Sequence, residues 1–172
     1  MSDTRENERG MKAVPSLKPA ARGEVSVGTQ PPPSAVRAVG GRLLLVDDEA
    51  PLLRGLTRLM GLATPEWRVT TATSAELALA ALEREAFDVL VTDLEMPGMG
   101  GLALLEEVAV RYPSLVVVVH SSHSNTRAEE LADFCLGKPV NTDVLIGTVS
   151  TAFATSLTRQ HQLSLGRTSQ TA

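Results

Sequence analysis

The sequence predicts an α/β protein built on a five-stranded parallel sheet with helices on both faces. Strand-length apolar runs alternate with segments whose apolar residues recur at helical spacing. The run over residues 115–119 is apolar throughout, as expected of a strand covered on both faces. A third observation concerns the strand ends. Leu43-Leu44-Leu45-Val46 stops on Asp47-Asp48, and Val89-Leu90-Val91-Thr92 stops on Asp93. Residues 116–119 stop on His120-Ser121-Ser122, and a further short segment stops on Lys138-Pro139. In an open parallel sheet the C-terminal strand ends share one edge, where ligands bind.

The elements follow in order. Arg42–Val46 is the first strand. Pro51 opens a helix in the first turn, where its missing N–H costs nothing. Leu52, Leu53, Leu56, Leu59 and Met60 give that helix a stripe ending at Gly61. Residues 67–71 alternate as a strand, with Trp67 as strand packing. Ser74 caps a second helix with Leu77, Ala78, Ala81 and Leu82 on one face. Residues 87–92 form the third strand. A turn rich in Pro and Gly leads to a helix carrying Leu102, Leu105, Val108 and Ala109. Residues 115–119 are the fourth strand, and a short helix over residues 126–132 leads to the fifth, Phe134–Gly137. Asn141 caps a last helix with Leu145, Val149 and Phe153 facing in. Such alternation implies right-handed crossovers.

Composition bounds the rest. The chain has 172 residues, room for one domain and tails. Only one Trp, one Tyr and three Phe are present, so the core is Leu, Val and Ala. Cys135 is the only cysteine, which excludes an internal disulfide and fits a reducing compartment. Residues 1–10 are charged, and no run reaches the length of a membrane span. The expectation is a cytoplasmic protein without membrane insertion. Residues 1–40, with Pro15, Pro19 and Pro31-Pro32-Pro33, read as a disordered leader, or alternatively as a polyproline docking segment. Residues 41–157 form the domain, and residues 158–172 read as a polar, frayed tail. Residues 41–156 hold 8 basic and 16 acidic residues, a net of −8 that repels nucleic-acid phosphates. No nucleic-acid partner is expected.

Leu44-Leu45-Val46-Asp47-Asp48-Glu49, the run from Val91 through Asp93-Leu94-Glu95-Met96-Pro97-Gly98-Met99-Gly100-Gly101, Ser121 and Lys138-Pro139 resemble the receiver domain of bacterial two-component response regulators. The resemblance covers residues 41–157. It implies the flavodoxin-like strand order 2-1-3-4-5, in which ligands bind where the strand order reverses. It also implies a cis Lys138-Pro139 bond. Asp93 at a strand end is a suitable nucleophile toward a phosphoryl group, giving an acyl phosphate. Asp47 and Asp48 can hold Mg²⁺ with Asp93, and the family adds the backbone carbonyl two residues on, here Glu95. Ser121 would donate to a phosphoryl oxygen and Lys138 would pair with it. Catalysis would then be positioning and charge neutralisation. The implied partners are a sensor histidine kinase or histidine phosphotransferase and a downstream protein.

Two departures stand out. The family carries an aromatic residue three positions before the lysine, whereas this chain has Cys135 there and Phe134 one earlier. Either that aromatic is absent or the register is shifted. Only 16 residues separate Ser121 from Lys138, so the fourth helix has room for about two turns. The spacing of His120 and His123 leaves a zinc reading open, against a place for His123 at the site rim with Glu95. Cys135 reads as a small hydrophobe.

The reading is a stand-alone receiver, not an enzyme, since residues 158–172 are too few for a DNA-binding module. Output would be protein contact or transfer of phosphate to another histidine. One rival is a vestigial receiver that binds independently of phosphorylation. Another is a haloacid-dehalogenase-like hydrolase with Glu95 as second acid, for which further phosphate-binding motifs are missing.

Overall fold

The computed structural model describes residues 40–168 of the chain, with side chains as far as residue 165. The leader lies outside the described residues, and so do its disordered and polyproline readings. Five strands alternate with five helices: β1 (Arg42–Val46), α1 (Ala50–Ala63), β2 (Arg68–Ala72), α2 (Ala75–Arg84), β3 (Val89–Thr92), α3 (Gly100–Arg111), β4 (Val116–Ser121), α4 (Thr126–Leu131), β5 (Phe134–Gly137) and α5 (Thr142–Thr168). All pairings are parallel, and the order is β2-β1-β3-β4-β5. The order reverses between β1 and β3, which opens the crevice that such sheets use for ligands.

Alternation along each strand divides the core in two. Leu44, Val46, Leu90, Val117 and Val119 face α2, α3 and α4, where they meet Ala78, Leu82, Leu104, Val108 and Ala128. Leu43, Leu45, Val89, Val91, Val116 and Val118 face α1 and α5, where they meet Leu53, Met60, Leu145 and Val149. Both faces of β1, β3 and β4 are thus covered, which accounts for their unbroken apolar sequence. Trp67 packs against Phe153 of α5, with ring centroids 5.0 Å apart. Ser74 caps α2, its hydroxyl accepting from the Leu77 N–H at 3.2 Å. Asn125 caps α4 by accepting from the Ala128 N–H at 3.0 Å. α4 has only 6 residues, as the short connection requires.

Two helices outrun their sequence limits. α1 continues past Gly61 to Ala63. α5 continues past Leu157 to Thr168, so the frayed end expected there is not what the structure shows. The cause is polar. Arg159 donates to the Asp133 carboxylate at 2.5 and 3.3 Å and to the Leu115 carbonyl at 2.9 Å. Asp133 also accepts from the Val117 N–H at 2.8 Å. Gln160 donates to Asp88 at 3.1 Å, and Asp88 accepts from the Arg42 N–H at 2.8 Å. These contacts close the N-terminal edge of the sheet. Apolar periodicity does not register them.

The Asp133 side chain is only 8% exposed, so removing its cation would leave a desolvated carboxylate. Arg159→Ala is expected to cost about 2–3 kcal/mol of folding stability. Urea unfolding should show a lower midpoint at unchanged slope. A loss below about 0.5 kcal/mol, the scatter of ordinary surface changes, would show that α5 is not held by this contact.

Candidate functional site

Strand register builds the site. Val46 lies beside Thr92, so the next residues, Asp47 and Asp93, emerge together at the C-terminal edge. The Asp93 N–H donates to the Val46 carbonyl at 3.0 Å and the Asp47 N–H to the Ala72 carbonyl at 3.2 Å, which extends the ladder to the edge itself. One carboxylate oxygen each from Asp47, Asp48 and Asp93 lies within 4.8 Å of the others. Asp47 and Asp93 are buried and Asp48 is exposed. Three carboxylates so close repel one another, and a divalent cation with oxygen ligands offsets that repulsion.

Lys138 comes from beyond β5. Its Nζ donates to Asp47 Oδ2 and Asp93 Oδ2, both at 2.7 Å. The Lys138-Pro139 bond is cis. Ser121 lies opposite Gly137 in the ladder, and its carbonyl accepts from the Lys138 N–H at 2.9 Å. Ser121 is buried and Ser122 exposed. The other Asp93 oxygen accepts from the Leu94 and Glu95 N–H groups at 2.6 and 3.1 Å.

The turn after Asp93 depends on glycine. Gly98 and Gly100 have φ of +79° and +70°, a region that favours glycine. A Cβ on Gly101 would fall 2.0 Å from the Asp93 carbonyl oxygen, so α3 can start this close only without one. Glu76 of α2 clips the turn, accepting from the Met99 N–H at 3.1 Å. Sequence reasoning missed Glu76, because a contact across 23 residues leaves no local signal.

The charges are mutually adjusted. Burial is the largest single influence on Asp93 and raises its pKa, yet Lys138 and the Glu95 and Leu94 amides together hold the carboxyl below its ordinary value. Burial likewise pushes Lys138 down, and hydrogen bonds to Asp47 and Asp93 outweigh it, so the amine is raised. His120 is lowered by burial and then by Lys138, against the pull of Asp47 and Asp93. His123 Nδ1 lies 2.5 Å from Glu95 Oε1 across the rim. Among the described residues, the cluster with the geometry to hold a metal ion is Asp47, Asp48 and Asp93, and neither His120 nor His123 belongs to it. The zinc reading gains no support.

The question left by Phe134 and Cys135 is resolved by the pleat. Phe134 is buried on the α1–α5 side, and Cys135, beside Val119, is exposed on the other. The position three before Lys138 therefore holds Cys135, with the neighbouring aromatic pointing away.

A doubly wound sheet that gathers three aspartates and a lysine at its switch-point edge defines the class of receiver-like α/β domains. The chain belongs to the response regulator receiver domain family, whose profile matches residues 43–150. It is 34% identical over 119 residues to the DNA-binding transcriptional regulator NtrC of Salmonella typhimurium, a match covering 66% of this chain and 25% of NtrC. It is 40% identical over 84 residues to the alginate biosynthesis transcriptional regulatory protein AlgB of Pseudomonas aeruginosa, covering 49% of this chain and 18% of AlgB. The chain thus spans 25% or less of the length of these curated relatives. The response regulator TrrA of Thermotoga maritima, solved in complex with Mg(2+)-BeF, superposes with a TM-score of 0.60 at 25% identity, covering 65% of this chain and 98% of TrrA. A CheY-like receiver domain protein from Methanospirillum hungatei shares the fold, with a TM-score of 0.64, 24% identity and coverage of 69% and 97%. Receiver domains are signalling modules.

Lys138 sets the acid response of metal-free protein. The folded pKa of Asp93 lies below the ordinary 3.8, so its contribution to stability is present above that value and lost as pH falls through the folded pKa. Lys138→Ala leaves Asp47 and Asp93 facing each other without their cation, which should raise the Asp93 pKa. Carboxyl carbon NMR titration would read the shift, and an unchanged Asp93 titration in the variant would contradict this account.

Proposed function

We propose that Asp93 is the phosphoryl acceptor of a Mg²⁺-dependent receiver, supplied by a sensor histidine kinase or histidine phosphotransferase. The observation that carries the reading is Lys138 Nζ bridging Asp47 and Asp93 at 2.7 Å beside a clustered third acid. An Asp93 carboxylate oxygen attacks phosphorus, the bond from phosphorus to the donor's imidazole nitrogen breaks, and an acyl phosphate forms. Lys138 and the Leu94 and Glu95 amides hold Asp93 ionised and oriented for attack. Lys138, already within the site, is the cation available to a phosphoryl oxygen, and the Ser121 hydroxyl is a further donor. Asp47, Asp48, Asp93 and the Glu95 carbonyl would hold Mg²⁺, which supplies charge neutralisation when bound. Output passes by contact with another protein, and the expected location is the cytoplasm.

A small-molecule phosphodonor with Mg²⁺ separates the readings. Acetyl phosphate should label the protein to about one equivalent, the single-acceptor limit, and Asp93→Asn should abolish the label. A label retained by the variant would refute Asp93. A vestigial receiver takes no label, and that second reading has Cys135 and the short α4 in its favour. Turnover of many equivalents would indicate a hydrolase.

The readout is proposed to lie in residues 121–132. α4 buries Ala128 alone among its residues, so it opens at low cost. Phosphorylation is expected to change hydrogen exchange over this segment more than on β5. Changes confined to the loops after β1 and β3 would exclude it.

A further inference from the structure

The acid cluster and the Glu95 carbonyl are supported differently. Asp47 and Asp93 leave β1 and β3 directly, and their amides still belong to the strand ladder. Glu95 lies in the turn over residues 94–99, between β3 and α3.

That turn is only partly determined by its own residues. The Leu94 carbonyl accepts from the Gly101 N–H at 3.1 Å, and Met96 is buried in the core. Beyond Met96 the chain is freer in principle. Gly98 and Gly100 have positive φ, and glycine is the residue with the most alternatives to such a conformation. Met99, at the cap position of α3, makes no side-chain capping bond.

The missing restraint comes from α2. Glu76, in its first turn, accepts from the Met99 N–H through Oε1 at 3.1 Å. A Cβ built on Gly98 would lie 2.9 Å from the same oxygen, so the carboxylate is seated over both residues. An exposed glutamate ordinarily has many rotamers open to it. This one is held. Its own amide, the Ser74 hydroxyl and the Met99 amide, in that order, keep its carboxyl below the ordinary value. Ser74 also caps α2, so the residue that starts the helix orients the glutamate.

We propose that Glu76 is a positioning residue for the Mg²⁺ site, holding the turn that carries the Glu95 carbonyl through Gly98 and Met99. The inference rests on the reading of Asp47, Asp48 and Asp93 as metal ligands. Mg²⁺ tolerates little departure from octahedral geometry at short distances, so a backbone ligand on a loose turn serves it poorly. Affinity for the ion therefore depends on what fixes the turn. Such coupling is reciprocal, so Mg²⁺ tightens the Glu76–Met99 contact as much as the contact tightens Mg²⁺.

The test is a calorimetric titration of the full chain with Mg²⁺ alone, without phosphodonor. Glu76→Ala should weaken binding about threefold to tenfold, the weight of one hydrogen bond. Glu76→Gln keeps an oxygen acceptor at the same reach and should stay within about twofold of wild type. Exchange of the Met99 amide should slow on Mg²⁺ addition in wild type and not in Glu76→Ala. A clip that serves the fold alone would change urea stability without Mg²⁺ and leave the affinity as it was. Glu76→Ala binding Mg²⁺ like wild type would overturn the proposal. So would an equal loss in Glu76→Gln, which would assign the effect to charge, or a Met99 amide indifferent to Mg²⁺ in wild type. Asp48→Ala separates the two readings. If wild type binds no Mg²⁺, or Asp48→Ala binds it equally well, the metal reading falls and this inference with it. If binding needs Asp48 but not Glu76, this inference falls alone.

Discussion

The site rests on one amine between two carboxylates. Asp47 and Asp93 leave neighbouring strands at the same level, and nothing in β1 or β3 offsets their repulsion. Lys138 does so from the far edge of the sheet, across β4, with 2.7 Å contacts to both acids. The geometry therefore requires the whole sheet in its order β2-β1-β3-β4-β5. Loss of β5 docking would leave an uncompensated like-charge pair at the C-terminal edge of the sheet. Fold and site are in this sense one constraint.

The two ends of the sheet treat buried acids differently. At the N-terminal edge, Asp88 and Asp133 are held by Arg159, Gln160 and the Arg42 and Val117 amides. At the C-terminal edge, Asp47 and Asp93 share the single amine of Lys138, and the third acid, Asp48, is open to solvent. Negative charge is saturated at the first edge and in excess at the second. An excess of negative charge of this kind attracts a divalent cation. The saturated edge holds α5 against the sheet.

Much of this was legible in the sequence. Strand ends are marked by the change from apolar to acidic residues, and a parallel sheet gathers such ends without further information. The short α4 followed from the 16 residues between Ser121 and Lys138. What stayed hidden depends on contacts across the fold. Arg159 lies 26 residues from Asp133, Gln160 lies 72 from Asp88, and their segment has no apolar stripe to announce a helix. Phe134 and Cys135 were assignable to opposite faces but not to a particular one, since that depends on the register with β4. His120 ended a strand in sequence, yet only the fold shows it buried on the α1–α5 side with Nε2 lacking a partner.

These anchors also bound where the domain can change shape. Ser121 is tied to the Lys138 amide at one end of the β4–β5 connection, and Asp133 is tied to Arg159 at the other. Between them lies a single helix of 6 residues, capped by Asn125 and burying Ala128. A receiver with an aromatic on the exposed face of β5 can couple the hydroxyl to a ring that moves between two packings. Here that face carries Cys135 and Gly137, both exposed, and Gly137 has open space where a side chain would lie. No large side chain on β5 can follow Ser121. A shift at Ser121 therefore reaches the surface through the chain that follows it. With Asp133 held by Arg159, the 6-residue α4, burying Ala128, is the least anchored part of that connection.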